Sequence, residues 1–179
     1  MSEPLKTRLP SFASLVPVYS VIAFFVFGWE VYRYAWRLPS WLHYLTLGEL
    51  LGIFSYAMLT GLVESLLILG FLLGLSALLP ARFLRDVFIV RGTAISLGWL
   101  VSLIVFWIAY ERDGSLENFM VAWTVGALFL TVLLARLSTR VRWLGVFLAA
   151  LADRLTVFLF LLMPLAALGL VVVFIRNIF

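Results

Sequence analysis

The sequence has no cysteine and a single histidine, His43, among its 179 residues. Without cysteine there is no disulfide framework, no thiol nucleophile and no cysteine-ligated metal. A single histidine also excludes a histidine-rich metal site and a bis-histidine haem within one chain. We therefore predict no metal site and no cofactor.

Catalytic and nucleotide-binding motifs are lacking as well. The sequence has no G-x-S-x-G nucleophile elbow, and the lone histidine has no triad context around it. Glycine-rich phosphate-binding loops are absent. An intramembrane enzyme acting on lipid would need at least two cooperating polar groups at one depth, and only one such group stands out. The sequence therefore favours a non-enzymatic protein.

Charged residues are scarce. They make up 12% of the chain and hydrophobic residues 65%, whereas soluble domains are about 25% charged and roughly 45–50% apolar. A water-soluble fold has no means of hiding so much apolar surface, so lipid must be the solvent for most of it. Only helices and closed barrels satisfy their backbone in hydrocarbon, and long apolar runs without polar alternation favour helices.

The apolar runs predict an all-α bundle of five transmembrane helices that forms a single domain over residues 1–179. Two further stretches, 82–91 and 143–152, are too short to cross a bilayer alone. Each is a candidate interfacial helix, and the second is alternatively an early extension of the last span. The five spans are predicted at about 14–36, 45–79, 93–110, 118–135 and 155–175.

The basic residues predict the orientation of the bundle, because Lys and Arg in short loops are retained preferentially in the cytoplasm. A cytoplasmic N-terminus places nine of the thirteen basic residues inside and four outside, and inversion reverses that ratio. We therefore expect the C-terminus outside and the protein in a bacterial plasma membrane. The scattered basic residues form no stripe of the kind that binds nucleic acid, so no nucleic-acid partner is expected.

Glu64 is the outlier of the sequence, because it lies in the middle of the second apolar run. A carboxylate at such a depth usually faces a protein interior or a water-filled cavity. At about 100° per residue, Glu49, Tyr56 and Thr60 share one polar stripe with Glu64, which predicts a face turned toward other spans. Glu64 then either binds or relays a cation or proton or takes a polar ligand within the bundle, or it is a protonated side chain that joins helices by a hydrogen bond.

Small residues recur at a spacing of four along the same span. Such spacing lets helix backbones approach closely. The glycines predict either a dimerisation face or packing against spans of the same chain, and the second interpretation is favoured. The predicted helix-packing positions are Gly48, Gly52, Gly61, Gly70 and Gly74.

Glu30, Arg33 and His43 lie near the predicted outer ends of the first two spans. Glu30 and Arg33 are three residues apart and can pair along a helix. Together with His43 they predict either a polar mouth that opens outward, or ordinary interface residues whose side chains reach toward the headgroups.

These features predict a non-enzymatic, multi-pass membrane protein that acts as a subunit or accessory partner of a larger membrane assembly. Its expected partners are the lipid bilayer and either other membrane protein chains or further copies of itself. The alternative is a small transporter or channel in which Glu64 is an intramembrane proton or cation site.

Overall fold

A computed structural model describes residues 9–112 and 119–178, and every regular element in these two ranges is helical. Residue 118, the predicted start of the fourth span, and the basic residues Lys6 and Arg8 lie outside the described ranges. The five long helices are α1 (Phe12–Trp41), α2 (Leu47–Leu78), α3 (Phe88–Arg112), α4 (Met120–Arg140) and α5 (Arg142–Ile178).

All five helices are long and apolar enough to cross a membrane, so the predicted all-helical fold with five spans is confirmed. Four helices extend past their predicted spans, whereas α2, with 32 residues, lies within its predicted range of 45–79. The 37 residues of α5 correspond to about 56 Å, whereas a bilayer core is about 30 Å thick. Helical hydrogen bonding therefore continues beyond the length that hydropathy marks.

The two candidate interfacial stretches are incorporated into longer elements. Residues 143–152 are continuous with α5, which agrees with the predicted early extension of the last span. In the stretch 82–91 a single 3-10 turn, Arg85–Val87, leads directly into α3. Neither stretch forms a separate surface helix, because each joins a transmembrane helix without a break.

α1 lies at the centre of the bundle and packs against α2, α3 and α5, whereas α4 packs against α3 and α5. The central position is visible in its side chains, since Val18, Val21, Ile22, Ala23 and Phe27 are fully buried. α1 thus supplies residues to each of the three apolar core clusters.

Glycines allow the helices to approach closely at three contacts. A Cβ atom at Gly61 of α2 would lie 3.2 Å from the Phe27 ring of α1. At Gly98 of α3 it would lie 3.0 Å from Thr131 of α4. At Gly169 of α5 it would lie 3.0 Å from a backbone oxygen of α2. Close packing through small residues is the usual way membrane helices associate, because lipid provides no hydrophobic force between them.

The start of α2 is held by a capping box. The Thr46 hydroxyl accepts a hydrogen bond from the Glu49 backbone amide at 3.4 Å, and the Glu49 carboxylate accepts one from the Thr46 amide at 2.8 Å. This reciprocal arrangement satisfies amide groups that the first helical turn leaves free. It defines where the short connection from α1 ends and α2 begins.

Candidate functional site

A cavity of about 620 Å³ lies between α1, α2 and α3. It sits toward the end of the bundle where α1 and α3 end, which is also where α2 begins. Five ionisable residues and three tryptophans line it together with apolar side chains. The ionisable residues are Glu30, Arg33, Arg37, Glu64 and Glu111, and the tryptophans are Trp29, Trp99 and Trp107.

Helical periodicity places these side chains on common faces. In α1, Trp29, Arg33 and Arg37 recur at intervals of four, so they lie above one another on one side of the helix. In α3, Leu103, Trp107 and Glu111 recur at the same interval. Two helices therefore present a ladder that changes from apolar to charged toward their carboxyl ends.

Glu30 and Arg33 form an ion pair inside the cavity, with 3.8 Å between Arg33 Nη1 and Glu30 Oε1. Glu30 is the buried member, because only 9% of its surface is exposed. A charge so nearly buried is stable only beside a partner, and Arg33 supplies the partner from the next turn of the same helix. The predicted pairing of these two residues is therefore present in the structure.

Glu64 occupies the deepest charged position of the cavity. It lies about 26 Å along α2 from Leu47 and about 21 Å from Leu78. Its side chain is exposed and makes no hydrogen bond or ion pair with another described residue. Glu64 is close enough to Glu30 for the two carboxylates to interact electrostatically. The cavity thus holds two neighbouring acids near its base and one arginine that pairs with only one of them.

The cavity continues into an apolar cleft of about 700 Å³ between α2 and the α3–α4 pair. The two share Leu67, Ile68, Trp99 and Leu100 as lining residues, so they form one groove. The acidic side chains of this groove all lie in the cavity half. Apart from Arg91 and Arg136 at its far end, the cleft has no ionisable side chain in its lining.

The predicted polar stripe of α2 does not form a single site. Glu49 caps the helix start and is exposed. The Tyr56 hydroxyl accepts a hydrogen bond from the Asn177 side-chain amide of α5 at 3.0 Å. Thr60 is exposed, and only Glu64 lines the cavity. The four residues therefore lie in different surroundings, and the buried face of α2 is formed by other residues, among them Ser55, Met58, Gly61 and Ser65.

The five predicted packing glycines divide into two groups. Gly52 and Gly61 are buried, and they contact Arg176 of α5 and Phe27 of α1. Gly48, Gly70 and Gly74 are exposed and have nothing within 4 Å of the position a Cβ would take. Packing against other helices of the same chain therefore explains Gly52 and Gly61, and it does not explain Gly48, Gly70 and Gly74.

The predicted polar mouth is present only in part. Glu30 and Arg33 line the cavity, whereas His43 lies in the α1–α2 connection beside Tyr44 and lines no part of it. The sequence patterns did not identify Arg37, Glu111 or the tryptophans as residues of the same cavity as Glu64. The four-residue spacing along α1 and along α3 shows that these side chains share a face of each helix. It shows that they share a cavity only when the two helices are known to line it.

Within residues 9–112 and 119–178, no group of three or more His, Cys, Asp or Glu side chains is arranged to hold a metal ion. Comparison of the chain with protein-family models, curated proteins and solved structures gives no match in any of the three. Function is therefore inferred from the chemistry of the cavity itself.

Proposed function

We propose that this multi-pass membrane protein is a small transporter in which Glu64 binds a proton or a cation at the base of the cavity. The observation that carries the proposal is an unpaired carboxylate at mid-depth in a membrane helix, facing a cavity instead of a packed interface. On insertion scales a central Asp is unfavourable by roughly 2.5–3.5 kcal/mol, and such residues commonly mark ion pathways and proton relays.

The charge balance around Glu64 supports a cationic cargo. Glu30 and Glu64 together carry two negative charges when ionised, and Arg33 pairs with Glu30. One negative charge is left without a partner at the cavity base. A bound cation or a proton neutralises it, and an anion would be repelled by it.

The volumes of the cavity and the cleft suit a small ligand. The cavity and the cleft hold about 620 and 700 Å³, and each lies within the range of roughly 300–1,000 Å³ found for small-molecule sites. With the orientation predicted from the basic residues, the cavity opens to the outside.

A role as a subunit of a larger assembly is the second candidate, and the exposed glycines favour it. Gly70 and Gly74 lie one turn apart on α2 with no neighbouring atom within 4 Å. A small-residue pair of this kind is a common contact surface for another membrane helix. The two roles are compatible, because this surface and the cavity involve different residues.

Proton flux in proteoliposomes tests the proposal. A pH-sensitive dye trapped in the vesicles reports flux driven by a potential, first for the unaltered chain and then for Glu64→Gln. We expect flux from the former and background leakage from the latter, because glutamine retains the shape but not the charge. Asp153→Asn is the matched control, since Asp153 is an exposed acid outside the cavity, and it should retain flux. Equal flux from Glu64→Gln and the unaltered chain would contradict the proposal.

A further inference from the structure

We infer that the ligand of the cavity is an organic cation that carries an apolar body. This inference rests on the proposed function, because it assigns a substrate class to the same site at Glu64. Three features of the groove support it: the indole rings, the uncompensated carboxylate and the apolar cleft that continues from the cavity.

The three tryptophans supply the first feature. Trp29 comes from α1, and Trp99 and Trp107 come from α3, so the rings line the cavity from two helices. Trp29 and Trp99 are half-buried and Trp107 is 47% exposed. Indole is the strongest aromatic partner for a cation, and groups of aromatic rings are the usual means of recognising quaternary ammonium ligands.

The arrangement of charge distinguishes an organic cation from an anion. The Glu30 carboxylate already holds Arg33, whereas Glu64 is free. Arg37 and Glu111 lie nearest the ends of their helices and have opposite charges, so they make no net contribution at the rim. The deep end of the cavity therefore carries a negative charge beside aromatic rings, which is complementary to a positively charged ligand.

The same lining argues against an inorganic cation as the main ligand. A hard metal ion prefers six or more oxygen ligands, and Glu30 and Glu64 are the only acids near the cavity base among the described residues. A strongly hydrated ion also gains little from indole faces. A poorly hydrated organic cation gains from both the carboxylate and the rings.

The apolar cleft supplies a place for the rest of the ligand. Leu67, Ile68 and Leu100 belong to both parts of the groove. A ligand whose charged group lies at Glu64 thus has an adjoining surface of leucine, isoleucine and phenylalanine side chains. That surface accommodates aromatic or aliphatic substituents.

Equilibrium binding of tetraphenylphosphonium to the purified full-length protein in detergent tests this inference. Protein-free micelles correct for partitioning of the probe, and tetraphenylborate provides an anion of the same shape. We expect saturable binding of the phosphonium and no saturable binding of the borate. The absence of saturable phosphonium binding, or equal binding of both ions, would overturn the inference.

Matched variants then locate the bound ion. Glu64→Gln should weaken phosphonium binding by roughly tenfold or more, and Trp99→Leu by about 2- to 30-fold. Asp153→Asn and Trp143→Leu are the controls, because both residues are exposed and lie outside the cavity. Both controls should bind as the unaltered chain does. Binding that is insensitive to Glu64→Gln and Trp99→Leu would place the probe elsewhere and contradict the assignment.

The binding and flux measurements can contradict the ligand class and the transporter role separately. Saturable phosphonium binding without any transport supports the ligand class and removes the transporter role. Glu64-dependent proton flux without phosphonium binding supports the transporter role and removes the organic cation.

Discussion

The two sides of α2 differ in what they contact. One side packs against α1 and α5 through buried residues, among them Met58, Gly61 and Ser65. The other carries the exposed side chains of Glu64, Leu67 and Phe71, which line the cavity and the cleft. Small residues thus mark the side that packs against α1 and α5, and the charge marks the side that faces the cavity.

Helix packing and the proposed ligand site therefore use different residues of α2. Gly61 allows the Phe27 ring to reach the α2 backbone, and the Ser65 hydroxyl lies 3.3 Å from the hydroxyl of Tyr19. Glu64 makes no comparable contact within the described chain. A change on the packed side should therefore affect folding, and a change at Glu64 should affect activity.

The largest expected effect on stability is that of Gly61→Leu. The Cβ alone would lie 3.2 Å from Phe27, and the rest of a leucine side chain has no room between α1 and α2. Overpacking of this kind destabilises by about 1–3 kcal/mol, and sometimes by more. Thermal unfolding in detergent measures the loss. Gly70→Leu is the matched control, because nothing lies within 4 Å of it, and it should unfold at the same temperature as the unaltered chain. Equal destabilisation by the two variants would mean that α2 does not pack as described.

The smallest expected effect on stability is that of Glu64→Leu. Since Glu64 has no partner to lose, replacing it should leave the free energy of unfolding within about 0.5 kcal/mol or raise it, while flux is abolished. Ser65→Leu, one residue along the helix, should instead destabilise, because Ser65 is fully buried. Destabilisation by Glu64→Leu of more than about 1 kcal/mol would support the alternative interpretation, in which Glu64 joins helices by a hydrogen bond.

The five spans could be predicted because a helix needs about 20 apolar residues to cross a bilayer, and runs of that length are visible in the sequence. The helix ends could not, since backbone hydrogen bonds continue through polar and aromatic residues outside the hydrocarbon. α1 therefore runs past Pro39 to Trp41, and α5 starts at Arg142, well before the predicted residue 155. Hydropathy locates the part of a helix that lies in the hydrocarbon core, and it does not show how far the helix continues outside that core.

Part of the candidate site could also be predicted. Glu64 stands out because a charge interrupts an apolar run, and the Glu30–Arg33 pair follows from spacing along one helix. That Trp99 lines the same cavity as Glu64 depends on how α3 lies relative to α2, which no pattern within one helix shows. The polar stripe of α2 divides between the helix cap at Glu49, a hydrogen bond from α5 at Tyr56 and the cavity at Glu64, and spacing along one helix does not show this division. The sequence pattern does not show how the helices lie relative to one another, and the site depends on that arrangement.

Thiol labelling at position 64 tests the central claim most directly. The chain has no cysteine, so Glu64→Cys and Phe71→Cys each introduce a single thiol, one in the cavity and one in the apolar cleft. A water-soluble maleimide reacts with thiolate, which requires water at the sulfur. Labelling in intact membranes should proceed at position 64 and be absent at position 71. A thiol at position 64 that resists the reagent as completely as the one at position 71 would contradict a water-accessible site at Glu64.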